Sequence, residues 1–493
     1  MSFSLNFPLF MIVASLFLSV VSSLLNGKTA RILHLTLSGV STVLNAIILV
    51  YVLKTDSSYT YMMGHFPHPW GNESKIGIFE AIFATLFTGV LFLTILGGKQ
   101  SIEEYVNEDK RNLYYSLCNL IEASLLVLTY TNDIFTGYVF VEICTLASVG
   151  ILMIRSNGRT TAASMRYIIF SLIGSGLLLF GIVFMYNITG NLLFPSLNEN
   201  ITELWSNGTY RIPLLAAMCF IAIGLCIKSG LFPFHFWMAD TYGTAIPAAS
   251  GILSGIISKG YIVFLLKCIF DVFGTGVFKQ SGIPDIIFVM GILGVIIGSV
   301  SARRENNIFR MLAYSSTAQI AYIYMGIGIC NKEALIASCF QIIAHAITKP
   351  ALFLSAYRLS NVSDGAKKFK NLEESASRDL FAAVCFVEGG LSLIGIPLTA
   401  GFISKFLFGL SSFESNGIKL VITLIALVAS TILNTTYFTH TFIRIYTNKN
   451  TDNKEYPKKK EYLISGSVFI VLNILLGTIG NSVIEILQKI IAM

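Results

Sequence analysis

Charged side chains are scarce in this sequence. Asp, Glu, Lys and Arg make up 12% of its 493 residues, whereas 54% are hydrophobic and the mean hydropathy is +0.72. A soluble protein of this length needs far more polar surface, so the composition excludes that class. Apolar runs of about 18 or more residues recur along the chain, which is typical of membrane-spanning helices.

The sequence also lacks the motifs of covalent and redox chemistry. Its eight cysteines are scattered and form no Cys-x-x-Cys pair, which argues against iron–sulfur or zinc ligation. It has no glycine-rich phosphate loop, no nucleophile beside a base and no set of redox ligands. We therefore expect no metal, no cofactor and no catalytic centre in this chain, although it could still be a subunit of an enzyme complex.

Proline is sparse, at 11 residues, and two prolines occur where a membrane helix tolerates them poorly. Pro233 and Pro397 both interrupt long apolar runs, and each lies near a lysine. Proline lacks a backbone donor and clashes with the preceding turn, so it breaks a helix. In lipid, a broken helix persists only where protein or a wet cavity supplies partners. Two such breaks indicate an ion pathway built on two repeated halves.

The apolar runs predict fourteen spans and an all-α polytopic membrane protein, with no soluble domain between the spans. Of the 34 lysines and arginines, 22 fall in one set of alternate connections and eight, Lys267 among them, fall in the other. The positive-inside rule then places the first set in the cytoplasm and both termini on the outer side.

Four lysines lie too deep in their spans to be loop charges. A charged lysine at the centre of a span costs about 2.5–3.5 kcal/mol on insertion scales, so we expect it to have a function. Two of the four lie beside the proline breaks, and a third shares one helix face with His345. The four are Lys228, Lys259, Lys349 and Lys405.

Buried acids are the natural counterparts of these lysines. Glu142 lies in the middle of a span and needs a cation or a proton there. Desolvation and a nearby carboxylate act in opposite directions on a lysine, so moving the carboxylate lets the lysine release its proton. A row of Glu, Lys and His side chains joined by water is therefore a plausible proton relay. The further intramembrane acids, with a secondary or structural role, are Glu80, Glu122 and Glu388.

Five ordered segments resemble the antiporter-like subunits shared by respiratory complex I, Mrp-type sodium/proton antiporters and membrane-bound hydrogenases. They are residues 228–240, 245–261, 310–316, 345–349 and 391–405. The resemblance implies fourteen helices, with two inverted five-helix repeats in spans 4–8 and 9–13 and discontinuous seventh and twelfth helices. The implied units are an N-terminal three-span segment, the two repeats and a C-terminal span, at 1–112, 113–270, 283–446 and 461–493.

The same resemblance implies roles for the buried side chains. Proton translocation would start at a coupled Glu–Lys pair, follow a central polar axis and end at a terminal lysine. His235 and Asp240 match a Pro-x-His…Asp segment of the family, and we assign them a secondary role. Many members have Pro-Pro where this chain has Pro397-Leu398. The implied residues of the axis are Glu142, Lys228, Lys259, His345, Lys349 and Lys405.

Lys405, in place of a glutamate, and the segment 63–71 most resemble the D-type protein of the Mrp antiporter and its hydrogenase counterparts. We therefore expect a proton-translocating subunit of a multisubunit Mrp-type Na⁺/proton antiporter in the cell's inner (plasma) membrane. Expected partners are other integral membrane subunits, including homologous antiporter-like ones, with protons and Na⁺ as the ions and no nucleic acid.

Two alternatives stay open. One is the equivalent proton-pumping subunit of an energy-converting hydrogenase or of a complex I-like NADH/ferredoxin oxidoreductase. The other is a structural subunit whose channel is inactive, which the intact set of glutamates and lysines argues against.

Overall fold

The computed structural model describes residues 6–63, 66, 71–415, 417–447 and 459–492, and this part of the chain is almost entirely α-helical. The first eleven helices are α1 (Phe7–Leu24), α2 (Gly27–Thr55), α3 (Ile78–Gly97), α4 (Lys99–Tyr105), α5 (Arg111–Tyr130), α6 (Ile134–Met153), α7 (Gly158–Thr189), α8 (Phe194–Ser206), α9 (Arg211–Ser229), α10 (Phe236–Thr244) and α11 (Pro247–Ile252). The others are α12 (Ser258–Lys267), α13 (Thr275–Gln280), α14 (Ile283–Arg304), α15 (Ile308–Ile329), α16 (Lys332–Asn361), α17 (Ser375–Arg378), α18 (Leu380–Ile394), α19 (Ala400–Phe413), α20 (Gly417–Tyr446), α21 (Lys460–Thr478) and α22 (Gly480–Ala492).

Most of these helices form a bundle of membrane spans. Twelve helical segments of the described chain are long and apolar enough to cross a membrane. One further span is α15, and the two shorter apolar helices α18 and α19 together form another, which gives fourteen. The predicted all-α polytopic architecture is therefore confirmed.

Burial divides the spans into an inner and an outer group. The segment Pro247–Phe273 and the helix α16 are buried along their whole apolar length, whereas only about a third of α1, α2, α20 and α21 is covered. Because an unpaired polar group in lipid costs several kcal/mol, polar side chains concentrate in the inner group. Lys259, Lys267 and Lys349 lie on these two fully buried segments and thus have protein around them.

The seventh and twelfth spans are interrupted at the predicted prolines. After α9 the chain turns at Gly230, whose φ is +79°, and α10 begins beyond Pro233. After α18 it turns at Gly395, whose φ is +91°, and α19 begins beyond Pro397. A left-handed turn is strained for residues that carry a Cβ, so glycine at both places lets the two helices end in the same way. The predicted helix breaks are confirmed.

Pro350, by contrast, does not end its helix. The helix α16 continues through it, and the facing span makes room with Gly251 and Gly255. A Cβ built at Gly255 would lie 2.7 Å from Pro350 Cγ, so only glycine fits this crossing without a shift. The same facing span contains a π-helical turn, Leu253–Ile257. Two irregular helices therefore meet at the centre of the bundle, an arrangement common at functional sites.

Short elements between the spans were not predicted from the sequence. They are the helices α8 and α13 and a two-stranded antiparallel hairpin of β1 (Tyr59–Met62) and β2 (Glu73–Ile76). The C-terminal region also divides into α21 and α22. A membrane span is recognised in the sequence by a long apolar run, and elements of 4–13 residues are too short to produce one.

The loops that connect the spans lie at two faces of the bundle, as ion pairs between them show. On one face Lys99 contacts Glu461, with Nζ and Oε1 2.7 Å apart. On the other, Lys75 Nζ lies 2.6 Å from Asp271 Oδ1. The first face carries the connections rich in basic residues, of which residues 448–458 lie outside the described chain.

Gly401 provides a test of the twelfth-span packing. A Cβ built there would overlap the carbonyl group of Ser392, because the start of α19 packs directly on the end of α18. We expect Gly401→Ala to destabilise the chain by about 1–3 kcal/mol, the usual cost of overpacking. The measurement is the thermal unfolding midpoint of the protein in detergent micelles.

The matched control is Gly409→Ala on the same helix, where an added Cβ would have nothing within 4 Å. There alanine should be neutral or stabilising, by up to about 1 kcal/mol, because it favours the helix. Equal midpoints for the two variants would contradict the close packing of α18 and α19.

Candidate functional site

The last turn of α9 places Lys228 at the break in the seventh span. Its Nζ lies 3.6 Å from Glu142 Oε2 on α6 and donates a hydrogen bond to Thr145 Oγ1 at 2.7 Å. The Lys228 side chain is fully buried, whereas that of Glu142 is 24% exposed. Carbonyl groups at a helix C-terminus carry partial negative charge, which also favours an ammonium there. The structure thus brings the predicted first pair together.

Small residues bring α7 close to this lysine. A Cβ built at Gly174 would lie 2.9 Å from the Gly224 carbonyl oxygen and 3.2 Å from Lys228 Cγ. Larger residues would separate α7 from α9 and open a gap along the lysine side chain. Close approach of small residues is a common way of packing helices in membranes.

Lys259 follows the π-helical turn of the eighth span. Its Nζ donates to the Ser254 carbonyl oxygen and to Ser258 Oγ, the latter at 3.1 Å. Ser254 belongs to the π-helical turn, so the irregular backbone itself supplies an acceptor to the ammonium. Ser254 Oγ also contacts Ser316 Oγ at 2.8 Å, which links this span to α15.

Lys349 and His345 occupy one face of α16, as the sequence predicted. Lys349 Nζ donates to the Leu312 carbonyl oxygen at 2.9 Å and to Ser315 Oγ. His345 is fully buried one turn earlier, near enough to Lys259 and Lys349 for electrostatic interaction. Two positive charges this close repel each other, so a proton on one opposes a proton on the next.

Lys405 lies on α19, after its break, and reaches back across it. Its Nζ donates to the Ile394 carbonyl oxygen at 2.7 Å and to Thr431 Oγ1 at 3.2 Å, and it lies 5.7 Å from the ring centre of Tyr322. Lys228 instead precedes its own break. Lys405 thus finds a carbonyl group at the C-terminal end of the first half-helix, whereas Lys228 finds its oxygen atoms on α6.

Two hydroxyl groups lead from Lys228 to the eighth span. Thr145 Oγ1, which accepts from Lys228, lies 3.2 Å from the Tyr261 hydroxyl. Tyr261 follows Lys259 by two residues, and the Lys228 Nζ is 5.9 Å from its ring centre. A threonine and a tyrosine can both donate and accept, so they can pass a proton from Lys228 as far as the Tyr261 hydroxyl.

A second polar link joins the last two lysines. The Tyr437 hydroxyl interacts with Ser315, a partner of Lys349, and donates to Asn434 Oδ1 at 3.0 Å. Asn434 Nδ2 in turn donates to the Leu393 carbonyl oxygen at 3.2 Å, one residue before the carbonyl that holds Lys405. Polar groups thus lead from Lys349 to the helix end that holds Lys405.

Lys267 was counted with the loop charges, and that assignment is wrong. Its side chain is fully buried, with Nζ 3.2 Å from Glu80 Oε1 and donating to the Thr129 carbonyl oxygen at 2.7 Å. Glu80 Oε2 also accepts from the Gly77 backbone N–H at 3.0 Å. Two features of the sequence could have predicted this pair. Lys267 has apolar neighbours, and Glu80 lies within a span and needs a cation.

The other two intramembrane acids lie apart from the axis. Glu122 of α5 is 1% exposed and faces Ser41 of α2. Glu388 of α18 accepts a hydrogen bond from Asn473 Nδ2 of α21 at 2.6 Å. Glu388 thus joins α18 to α21, whereas neither carboxylate oxygen of Glu122 has a hydrogen-bond partner among the described residues. A direct part in proton transfer stays a prediction for both.

His235 and Asp240 occupy different surroundings. His235 lies within the seventh-span break, buried, with its ring centre 4.6 Å from that of Phe236. Asp240 lies at the basic face instead, where it pairs with Arg166 and with Arg310, the latter with Nη1 2.6 Å from Oδ1. The structure therefore separates Asp240 from the buried lysines.

Two sequence features used for the family resemblance can be compared with the structure, namely the segment 63–71 and the pair Pro397-Leu398. Most of the segment 63–71 lies outside the described residues. Leu398, which follows Pro397, has φ +74°, a value that the proline ring cannot adopt. The twelfth-span break therefore has a backbone here that a Pro-Pro sequence would not allow.

A family model described as NADH:quinone oxidoreductase/Mrp antiporter, transmembrane, matches residues 131–432. The match spans both helix breaks and all six residues of the axis. The chain belongs to this family, as its motifs predicted.

Relatives come from both branches named in the family description. The N-type protein of NADH-quinone oxidoreductase from Desulforudis audaxviator is 28% identical over 442 residues, which cover 88% of this chain and 85% of the relative. The D-type protein of the Na⁺/H⁺ antiporter from Alkalihalophilus pseudofirmus is 24% identical over 427 residues, which cover 86% and 83%. A chain of the Mrp complex from Dietzia sp. superposes with a TM-score of 0.86 at 21% identity, covering 100% of this chain and 97% of that one, and so shares its fold.

The Glu80–Lys267 pair can be tested by removing its acid. Glu80→Gln leaves Lys267 buried without a carboxylate, and we expect a loss of about 3–5 kcal/mol, as for other broken buried pairs. The measurement is the thermal unfolding midpoint in detergent micelles. The double variant Glu80→Gln/Lys267→Met removes both charges and should recover most of the loss, whereas a single variant as stable as the parent would refute a structural role for the pair.

Proposed function

We propose that this chain is the proton-translocating, antiporter-like subunit of a multisubunit Mrp-type Na⁺/proton antiporter. The observation that carries the proposal is the Glu142–Lys228 pair at the break of the seventh span. Further buried lysines continue from this pair through both halves of the bundle. A lysine in a membrane span is expensive, and four in one polar row support ion transport better than they support packing.

The first pair supplies the coupling. Two unit charges about 4 Å apart interact by about 4 kcal/mol at an effective dielectric constant near 20. Moving Glu142 away, or neutralising it, therefore changes the proton affinity of Lys228 about a thousandfold. Since Lys228 also donates to Thr145, a released proton has a hydroxyl acceptor within hydrogen-bond distance.

The later lysines form the relay. In the described chain, the polar partners of Lys259, Lys349 and Lys405 are neutral oxygens, and no carboxylate lies within 4 Å of their ammonium groups. A lysine held by neutral oxygens can lose its proton without leaving an unpaired anion behind. Repulsion between neighbouring charges then favours moving one proton at a time along the row.

Glu142 also supports a partner subunit beside α6. It lies on the outward side of that helix, near the exposed Phe135 and Leu146. A carboxylate facing lipid is costly, whereas a neighbouring subunit can supply polar groups or a proton. The partner we propose is another integral membrane subunit of the same complex, homologous antiporter-like subunits included.

We place the complex in the plasma membrane, with the basic face in the cytoplasm and both termini outside. The excess of lysine and arginine in one set of connections supports this orientation. Protons and Na⁺ are the proposed ions of the complex.

The competing function is the same proton module within a redox-driven complex, such as a hydrogenase or a complex I-like oxidoreductase. The 28% identity to a protein of an NADH-quinone oxidoreductase supports it. Purifying the assembled complex separates the two. Iron–sulfur subunits that copurify with this chain would establish the redox complex, and their absence together with Na⁺-driven proton movement would establish the antiporter.

Lys228→Ala and Glu142→Ala test the first pair. Each should reduce coupled transport at least tenfold while the complex still assembles, because the remaining partner loses the charge that sets its proton affinity. Proton movement is measured with a pH-sensitive dye in inverted membrane vesicles. Lys489→Ala removes an exposed lysine paired with Asp56 and should leave transport unchanged. Normal activity in both test variants would mean an inactive channel or a different path.

Thr145→Val tests the hydroxyl link between Lys228 and Tyr261 of the eighth span. Valine keeps the shape of threonine but cannot accept from Lys228 or contact the Tyr261 hydroxyl. We expect slower proton transport, by about a hundredfold or more if this link contributes ordinary general acid–base transfer. Thr435→Val, at an exposed threonine of α20, is the control. Equal rates for both variants would exclude Thr145 from the path.

A further inference from the structure

A cavity of about 810 Å³ opens on the basic face of the bundle. Its walls come from the loop between α6 and α7, from α7, α10 and α15, and from the loop that follows α16, so both halves of the chain contribute. Asp240 is the single carboxylate among the described residues that line it. The cationic side chains of the lining are Arg155, Arg159, Arg166, Arg310 and Lys367.

Two of these cations are already neutralised. Asp240 pairs with Arg166 and Arg310, and Arg310 Nε lies 2.9 Å from Glu305 Oε2 as well. These carboxylates fix the two arginines in the wall of the cavity. They leave the other three cations of the lining without an acidic partner.

The remaining three cations are concentrated in one place. Arg155 is oriented by a hydrogen bond from Nη1 to the Thr244 carbonyl oxygen at 2.6 Å. Neither it nor Arg159 nor Lys367 has a carboxylate within 4 Å in the described chain. Burial, with Arg155 and Arg159 nearby, lowers the pKa of Lys367 to about 8. Such a cluster attracts an anion, whose negative charge would offset the repulsion among the three cations.

The surface beside the cavity is apolar. Along the outer side of α7, Arg166 is followed by Ile169, Ile173 and Phe180, which are 53%, 52% and 61% exposed. The spacing of three, four and seven residues keeps these side chains on one face of the helix. The face runs from the mouth of the cavity into the membrane-spanning part of α7, where acyl chains lie.

We infer that this cavity binds the phosphate group of an anionic phospholipid, whose acyl chains lie along α7. Arg155, Arg159 and Lys367 hold the phosphate oxygens, and the arginines can do so in a bidentate manner. Free phosphate offers the same oxygens, but the adjoining apolar face favours the lipid. Basic pockets on the cytoplasmic side of membrane proteins bind such headgroups. A lipid seated here ties α7 and the loop before it, in the first half, to α15 of the second.

The experiment uses the assembled complex, stripped of lipid in detergent and then given phosphatidylglycerol or phosphatidylcholine. Native mass spectrometry counts the lipids retained. We expect phosphatidylglycerol to be retained on the parent complex and Arg159→Gln/Lys367→Gln to reduce that retention at least fivefold. The conservative variant Arg159→Lys/Lys367→Arg should restore it, which separates loss of charge from misfolding.

Matched variants and a competitor complete the test. Arg304→Gln/Lys370→Gln removes two exposed charges from the same face, outside the cavity, and should retain phosphatidylglycerol as the parent does. Equal loss in both double variants would overturn the site. Phosphatidylcholine retained equally well, or millimolar inorganic phosphate that displaces the lipid completely, would overturn the anionic-lipid assignment. A photocrosslink from position 159 to another subunit, with no lipid captured, would overturn it in favour of a protein contact.

Discussion

An ammonium group in a membrane must find oxygen atoms, and the arrangement of this bundle depends on where they are supplied. At the twelfth span an oxygen comes from the carboxyl end of a half-helix, where the turn at Gly395 leaves carbonyl groups without intrahelical donors, whereas at the seventh span Glu142 and Thr145 of α6 supply the oxygens. Lys228 lies on the half-helix before its break, whereas Lys405 reaches back across its own to Ile394. The two breaks turn at a glycine in the same way, but their lysines find oxygen atoms on different helices.

The partners of the four lysines differ in charge, and under the proposed function this difference would give the proton path a direction. The first lysine has a carboxylate, and the following three have hydroxyl and carbonyl oxygens. A charge change at Glu142 therefore acts first on Lys228 and reaches the others through the repulsion between neighbours. The irregular backbone at Pro350 and Leu253–Ile257 lies in the middle of this row, where α16 and the eighth span carry their lysines.

The sequence predicted the fold class, both breaks and the buried lysines, because insertion into lipid penalises every departure from an apolar helix. It did not predict partners that depend on packing between distant segments. Lys267 meets Glu80 only because the eighth span packs on α3, and Asp240 leaves the axis because Arg166 and Arg310 meet it at the surface. Short elements such as α8 and α13 were missed because their apolar runs are too brief to distinguish from a loop.

The exposure of Glu142 has a consequence for any measurement on this chain by itself. About a quarter of its side chain is in contact with whatever surrounds α6. Detergent, lipid and protein differ in polarity, so each sets a different local dielectric around the first ion pair. The proton affinity of Lys228 is thus not a property of this polypeptide alone. Titrations of the isolated chain and of the assembled complex should disagree at this residue more than at Lys349, which is enclosed on every side.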